Sequence, residues 1–174
     1  LPAGVRLTTR MAGGDLPVLA DAMQMQQVLM NLCTNAWQAL DGRAGEVTVA
    51  LRAVRLDSAR ALQLGGIPAG MYASLSVADN GPGMDAATQQ RIFEPFFTTK
   101  APGAGTGLGL AVVHGIVKAH NGAIALTSRA GEGARFDVYL PLAGAAHAPA
   151  QAEPAASPAP LAARCDAQAT EGGP

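Results

Sequence analysis

The sequence predicts an α+β two-layer sandwich, a mixed sheet of about five strands with about three helices on one face. Two observations lead there: short alternating or apolar stretches that read as strands, and two long helical segments set among them with clear start and stop signals. Residues 5–11 alternate well enough for an edge strand. Asp21 then caps a helix that runs to Leu40, where Asp41-Gly42 stops it. Strands follow over residues 46–55 and 71–79, and Gly65-Gly66-Ile67-Pro68 between them marks a loop. A short helix is expected over 85–93 and a long one over 108–120, closed by Asn121-Gly122. The last two strands, 123–128 and 134–140, are joined by the turn Ala130-Gly131-Glu132-Gly133.

The 174 residues are enough for one sizeable core, and composition divides them near residue 142. Residues 1–142 read as one domain. Residues 143–174 are mostly Ala, Pro and small polar residues, with Leu161 the one large aliphatic, and cannot bury enough surface to offset ordering entropy; they read as a linker or tail. A net charge of −1 with 14% charged residues offers no basic face for nucleic acid and no polybasic patch for direct membrane contact. Cys33 and Cys165 have no metal-ligand spacing and cannot be argued as a disulfide, which suits a reducing cytoplasm. The first residue is Leu1 rather than Met, so we expect a piece of a longer polypeptide, whose anchoring to a membrane stays open.

Two clusters carry the chemistry, Asp79-Asn80-Gly81-Pro82-Gly83-Met84 and Gly105-Thr106-Gly107-Leu108-Gly109-Leu110. A glycine-rich turn entering a helix presents free backbone N–H groups and the positive end of the helix dipole, which suits a polyphosphate. No Gly-Lys-Ser/Thr follows, and no strand feeds directly into the turn, so the two common phosphate loops do not apply. In the strand 71–79, Asp79 shares the core-facing side with Ala73, Leu75 and Val77, since side chains alternate with period two. A carboxylate there accepts from an amine, such as the adenine 6-amino group, and repels a carbonyl. Gly81 and Gly83 would let the backbone pass close to the base.

The helix 21–40 has no charged residue inside its ends, although surface helices normally carry them. Gln24, Gln27, Asn31, Asn35 and Gln38 repeat at spacings of three and four, forming one stripe of amides expected to line a cleft. Mg²⁺ takes few protein oxygens beside substrate phosphates, so a side-chain amide here is a plausible ligand.

These residues resemble a known family. Asn31-Leu32-Cys33-Thr34-Asn35, Asp79-Asn80-Gly81-Pro82-Gly83, Arg91-Ile92-Phe93-Glu94-Pro95-Phe96-Phe97 and Gly105-Thr106-Gly107-Leu108-Gly109-Leu110 are similar, in order, to the N, first glycine, F and second glycine boxes of sensor histidine kinase ATP-binding domains. That family shares a superfamily with DNA gyrase, the heat-shock chaperone ATPases and the mismatch-repair ATPases. The resemblance implies that Asn35 coordinates Mg²⁺, Asn31 supports the metal and phosphates, and Asp79 binds the adenine of ATP. Gly81 and Gly83 would shape the base pocket, while Gly105, Thr106, Gly107, Leu108 and Gly109 would set the phosphate loop. Residues 80–105 would form a mobile lid with Phe93, Phe96 and Phe97 anchoring its base. Asn31 and Lys100, the lid's one lysine, are the catalytic candidates.

Two departures from the family pattern matter. Many members carry Lys three residues after the metal-binding Asn, where this chain has Gln38; a phosphate contact is then missing or moved to Lys100. Hydrolytic relatives carry Glu at the position of Asn31, and an amide has no useful basicity, which favours transfer to another acceptor over hydrolysis. His114, His120 and His147 are followed by Gly, Asn and Ala, so none resembles the family's acceptor histidine, which precedes an acidic residue. The expected partner is therefore a dimerisation domain bearing that histidine, with a response regulator or receiver domain downstream. A gyrase- or chaperone-type ATPase, and an interaction module in which nucleotide only orders the lid, remain the alternatives.

Overall fold

The computed structural model describes residues 4–12, 14–100 and 105–144. Its five-stranded sheet has the order β1-β2-β3-β5-β4, formed by Val5–Ala12, Gly45–Leu56, Gly70–Asp79, Ala134–Pro141 and Ala123–Ser128 respectively. β1 runs parallel to β2 and every other pairing is antiparallel, the mixed sheet expected. The helices are α1 (Ala22–Ala39), α2 (Ser58–Gln63), α3 (Ala86–Arg91) and α4 (Gly109–Ala119).

The start and stop signals act as read. Asp21 caps α1 by accepting the Gln24 N–H at 3.0 Å, and Asp85 caps α3 by accepting the Thr88 N–H at 2.7 Å. After α1, Asp41 and Gly42 both adopt positive φ, which ends the helix. Val28, Leu32 and Ala36 on α1 and Val113 and Val117 on α4 pack on Val47, Val77, Phe136 and Val138, the core between the sheet and its two long helices. His120 closes α4, and its Nε2 accepts the Asp21 N–H at 3.1 Å, which ties the end of one long helix to the start of the other.

One element departs from the sequence reading. The segment ahead of Gly65 contains α2, capped by Asp57, where only a loop was expected. Leu64, just after it, packs with Leu56, Tyr72, Ala123 and Tyr139, whose register sets them on the sheet face opposite α1 and α4. α2 is thus a short addition to the expected sandwich, its C-terminal end packed toward the second face.

On that second face lies a polar cluster. Ser76 donates to Asp137, and Arg135 donates to the same carboxylate at 2.7 Å and 3.0 Å. Asp137 and Ser76 are buried while Arg135 reaches solvent. The last backbone hydrogen bond among the described residues is from Ala143 N–H to Pro17 O at 2.7 Å; the linker expected over 143–174 lies outside them beyond residue 144.

Asp137→Ala should lower stability by about 1–3 kcal/mol, because it removes the charged acceptor shared by the buried Ser76 hydroxyl and Arg135. Urea denaturation checks this, and an unchanged midpoint would show that the cluster contributes nothing.

Candidate functional site

The C-terminal half of α1, the end of β3, the segment after it and the start of α4 enclose a cleft of about 1160 Å³. Each wall follows from a local rule. Because Val28, Leu32 and Ala36 are held in the core, residues three and four positions along the helix from one another turn sideways, and Asn31, Asn35 and Gln38 line the cleft. Gln24 and Gln27 do not reach it; they border a separate shallow groove with Met23 and Met30, so the amide stripe serves the cleft only over its second half.

Asp79 ends β3 on the core side, paired with Val47 and Ala134, as its period-two position requires. Burial raises its pKa, and the backbone N–H groups of Gly81 and Ala134 oppose that rise. The Gly81 N–H donates to Asp79 Oδ1 at 2.9 Å, so Gly81 orients the carboxylate and is not itself a lining residue. Asn80 turns to β2, where its Oδ1 accepts the Glu46 N–H at 2.8 Å.

Gly83 borders the cleft, but its lack of a side chain answers to the protein itself. Its φ is +67°, and a Cβ there would stand 1.9 Å from the Arg129 carbonyl oxygen in the β4–β5 hairpin. Gly133 on that hairpin, at φ +80°, approaches Asp79 in the same way, with 2.0 Å from a built Cβ to the Asp79 carbonyl oxygen. Backbone-on-backbone packing thus requires glycine at position 83, whatever the cleft holds beside it.

At the other end, α4 begins at Gly109 with Leu108 as its N-cap and no side-chain capping bond. Its first N–H groups are open, and this end abuts the amides of α1: a Cβ on Gly109 would lie 3.6 Å from Asn31 Oδ1 and 3.9 Å from Asn35 Nδ2. Open donors, the positive end of an eleven-residue helix and two side-chain amides thus converge. Gly105, Thr106 and Gly107 line this end, whereas Leu108 does not. Gly107, at φ +66°, lies against the backbone of Phe96, with 2.4 Å from a built Cβ to the Phe96 carbonyl carbon.

Phe93 packs against His114 and Phe136, with ring centroids 5.4 and 6.5 Å apart, and Phe97 lies under the Arg91 guanidinium at 4.5 Å. Phe96 does not join them. Its φ is +66°, its N–H donates to Gly107 O, and its ring is 75% exposed, so the three-Phe anchor is an anchor of two. Lys100 Nζ donates to Gln38 Oε1 across the cleft, and desolvation lowers its pKa. Trp37, Thr98 and Thr99 also line the cleft; the sequence motifs did not single them out as site residues, because no pattern distinguishes them from ordinary helix and loop residues. Among the described residues no three His, Cys, Asp or Glu side chains gather as a metal site, and no helix is long and apolar enough to cross a membrane.

The cleft thus holds an acceptor carboxylate at one end, the uncapped start of a helix at the other, and side-chain amides and one lysine along its walls. Comparison with known proteins identifies the family. Residues 20–144 match the family described as histidine kinase-, DNA gyrase B-, and HSP90-like ATPase. The sensor kinase CckA of Brucella abortus is 42% identical over 130 residues, covering 74% of this chain and 14% of the relative. The two-component sensor PprA of Pseudomonas aeruginosa is 45% identical over 131 residues, covering 75% and 13%. Among solved structures, the catalytic domain of histidine kinase ThkA is similar with a TM-score of 0.62 and 29% identity, covering 80% of each chain. Full-length ShkA in complex with AMPPNP is similar with a TM-score of 0.63 and 32% identity, covering 84% of this chain and 27% of that one. The chain thus spans about one-seventh of the length of the curated relatives named here.

Gly83→Ala should destabilise the fold by at least about 1–3 kcal/mol, since it combines a strained left-handed alanine with a collision against the hairpin backbone. The measurement is the denaturation midpoint, with Gly131→Ala as the comparison: Gly131 also has positive φ but open space for a Cβ. Equal losses in the two variants would show that φ alone matters and that the hairpin contact does not.

Proposed function

The chain belongs to the histidine kinase-, DNA gyrase B-, and HSP90-like ATPase family, and on that premise we propose that it is the catalytic domain of a two-component sensor histidine kinase. In this reading it binds Mg²⁺-ATP and delivers the γ-phosphate to a histidine on a dimerisation domain outside the chain, from which a response regulator or receiver domain takes it. The observation that carries the reading is the meeting of Asn31 and Asn35 with the uncapped start of α4 in one cleft with Asp79. Similarity to named sensor kinases, one of them solved with AMPPNP, supports the ligand class.

Asp79 accepts from the adenine amine, its oxygens aimed by Gly81. Asn35 would hold Mg²⁺ through its amide oxygen with Asn31 beside it, and the cation, when bound, would supply charge neutralisation for the phosphates. Open N–H groups at Gly109 and beyond receive phosphate oxygens, with Gly105, Thr106 and Gly107 shaping the approach. Lys100 supplies the protein's own positive charge. In the transfer, a histidine nitrogen of the partner forms the new N–P bond as the bond from the γ-phosphorus to the bridging oxygen breaks, and ADP leaves. Asn31 cannot take a proton from water, so this site holds the nucleotide for an external acceptor. We assign residues 1–142 to this domain and 143–174 to a linker. Dependence on ATP sets the domain in the cytoplasm.

The test is incubation with γ-labelled ATP, alone and with the separately purified dimerisation domain of the same parent. The chain alone should bind nucleotide without stable label, and the partner should gain acid-labile, base-stable phosphate slowly, because no tether raises its effective concentration. Stable label on this chain, or rapid phosphate release abolished by Asn35→Ala, would point to a self-contained enzyme.

Asp79→Asn should weaken ATP binding roughly 10- to 150-fold, the worth of a hydrogen bond to a charged acceptor, and blur the preference for ATP over GTP. Binding of adenosine, which carries no phosphates to titrate, should fade on acidification, beginning at a higher pH than an ordinary aspartate would set. The carboxyl pKa is raised, the ionised form is the acceptor, and protonation removes it. Trp37, the chain's one tryptophan and a wall of the cleft, gives a fluorescence readout for both. A pH-independent adenosine affinity from neutral down to the ordinary aspartate range contradicts the assignment.

A further inference from the structure

Lys100 is the one lysine or arginine among the residues lining the cleft, whose other charged side chains are Asp41 and Asp79. A site for a polyanion with two acids and one base depends heavily on where that base is held. Its ammonium donates to Gln38 Oε1, from a residue 62 positions away in sequence. Gln38 lies in the last turn of α1, which holds no basic residue of its own, so the Lys100 charge sits near the negative end of the helix dipole. The stem is held as well: a Cβ built on Gly105 would lie 3.1 Å from Lys100 Cδ, so the aliphatic chain runs against the start of the second glycine cluster.

We propose that Gln38 is a positioning residue that holds the Lys100 ammonium over the cleft, with its stem against the second glycine cluster, where a nucleotide phosphate can take it over. The proposal rests on the nucleotide reading above and deepens it. The side-chain type matters. A neutral amide oxygen attracts the ammonium but competes poorly with a phosphate, so the lysine is placed when the cleft is empty and free to exchange partners when a polyanion enters. A carboxylate at position 38 would grip Lys100 and repel phosphate, and an apolar side chain would leave the ammonium unplaced. Desolvation of Lys100 in this position lowers its pKa, consistent with a head group drawn off bulk water.

The test uses the full chain and calorimetric titration with Mg²⁺-ATP and with adenosine. Lys100→Gln should weaken ATP binding about tenfold, and Gln38→Leu should weaken it by several-fold up to the same amount, with adenosine affinity unchanged in both. The double variant Gln38→Leu/Lys100→Gln should bind no worse than Lys100→Gln, because the two residues act as one unit. The reciprocal swap Gln38→Lys/Lys100→Gln, which moves the cation to α1 across the same contact, should recover ATP affinity to within about threefold of the parent. Multiplied losses in the double variant, a swap no better than Lys100→Gln, or a Gln38→Leu effect equal on adenosine and ATP would each overturn the proposal. If the parent fails to bind ATP, or if Asp79→Asn binds as the parent does, the nucleotide reading itself falls and takes this inference with it.

Discussion

The seating of α1 on the sheet is the constraint from which the site follows. Val28, Leu32 and Ala36 are almost wholly buried against Val47 and Val77, and each large aliphatic side chain so placed contributes about 1.5–3 kcal/mol. Rotating the helix to present a different edge to the cleft would take that face out of the core. With the rotation fixed, Asn31, Asn35 and Gln38 have one direction available to them, and α4, packed beside α1 through the same core, brings its first turn to their side. Polar groups that would weaken a buried surface are set by the apolar ones next to them.

How far the sequence could be read depended on whether a rule was local. The cap at Asp21 and the stop at Asp41-Gly42 need only neighbouring residues, and they stand where expected. Period-two alternation in β3 placed Asp79 on the core side because a strand has no other option. What was missed needed a partner distant in the chain. α2 has six residues, too few to show a helical period, and its stability comes from Leu64 and its neighbours on the second face of the sheet. Gln24 and Gln27 share a stripe with Asn31, but the cleft ends before it reaches them, and nothing in their spacing says so. Phe96 has the composition of a core residue and the backbone of a turn; Gly107, eleven positions on, accepts its N–H.

The glycine clusters meet a structural demand of the protein itself. Gly83 and Gly133 have no side chain because β3, the segment after it and the β4–β5 hairpin meet backbone to backbone. Ser128 adds to that junction, accepting the Met84 N–H at 2.9 Å and donating to Gly133 O at 2.7 Å. Gly107 does the same against Phe96. Only Gly109 stands in open contact with Asn31 and Asn35, where its small size leaves the helix start accessible. The clusters therefore weld the walls of the cleft together as well as shaping its interior, and a lost glycine threatens the walls first.

Charge sets the remaining condition. A chain with net charge −1 gains no general attraction for a polyanion, and a cleft with Asp41 and Asp79 against Lys100 is locally unfavourable to one. The cleft offers directed groups instead: the uncapped start of α4, the amides of Asn31 and Asn35, and a single lysine bonded to Gln38. None of these activates water, since amides and backbone donors carry no basicity and the one lysine is a cation. Under the proposed function, such a site would stabilise the phosphates of a bound nucleotide for a nucleophile from elsewhere. On the same proposal, an amide in place of a base at Asn31 and an acceptor histidine on another domain would be two sides of one division of labour, in which the nucleotide is held here and the acceptor is brought to it.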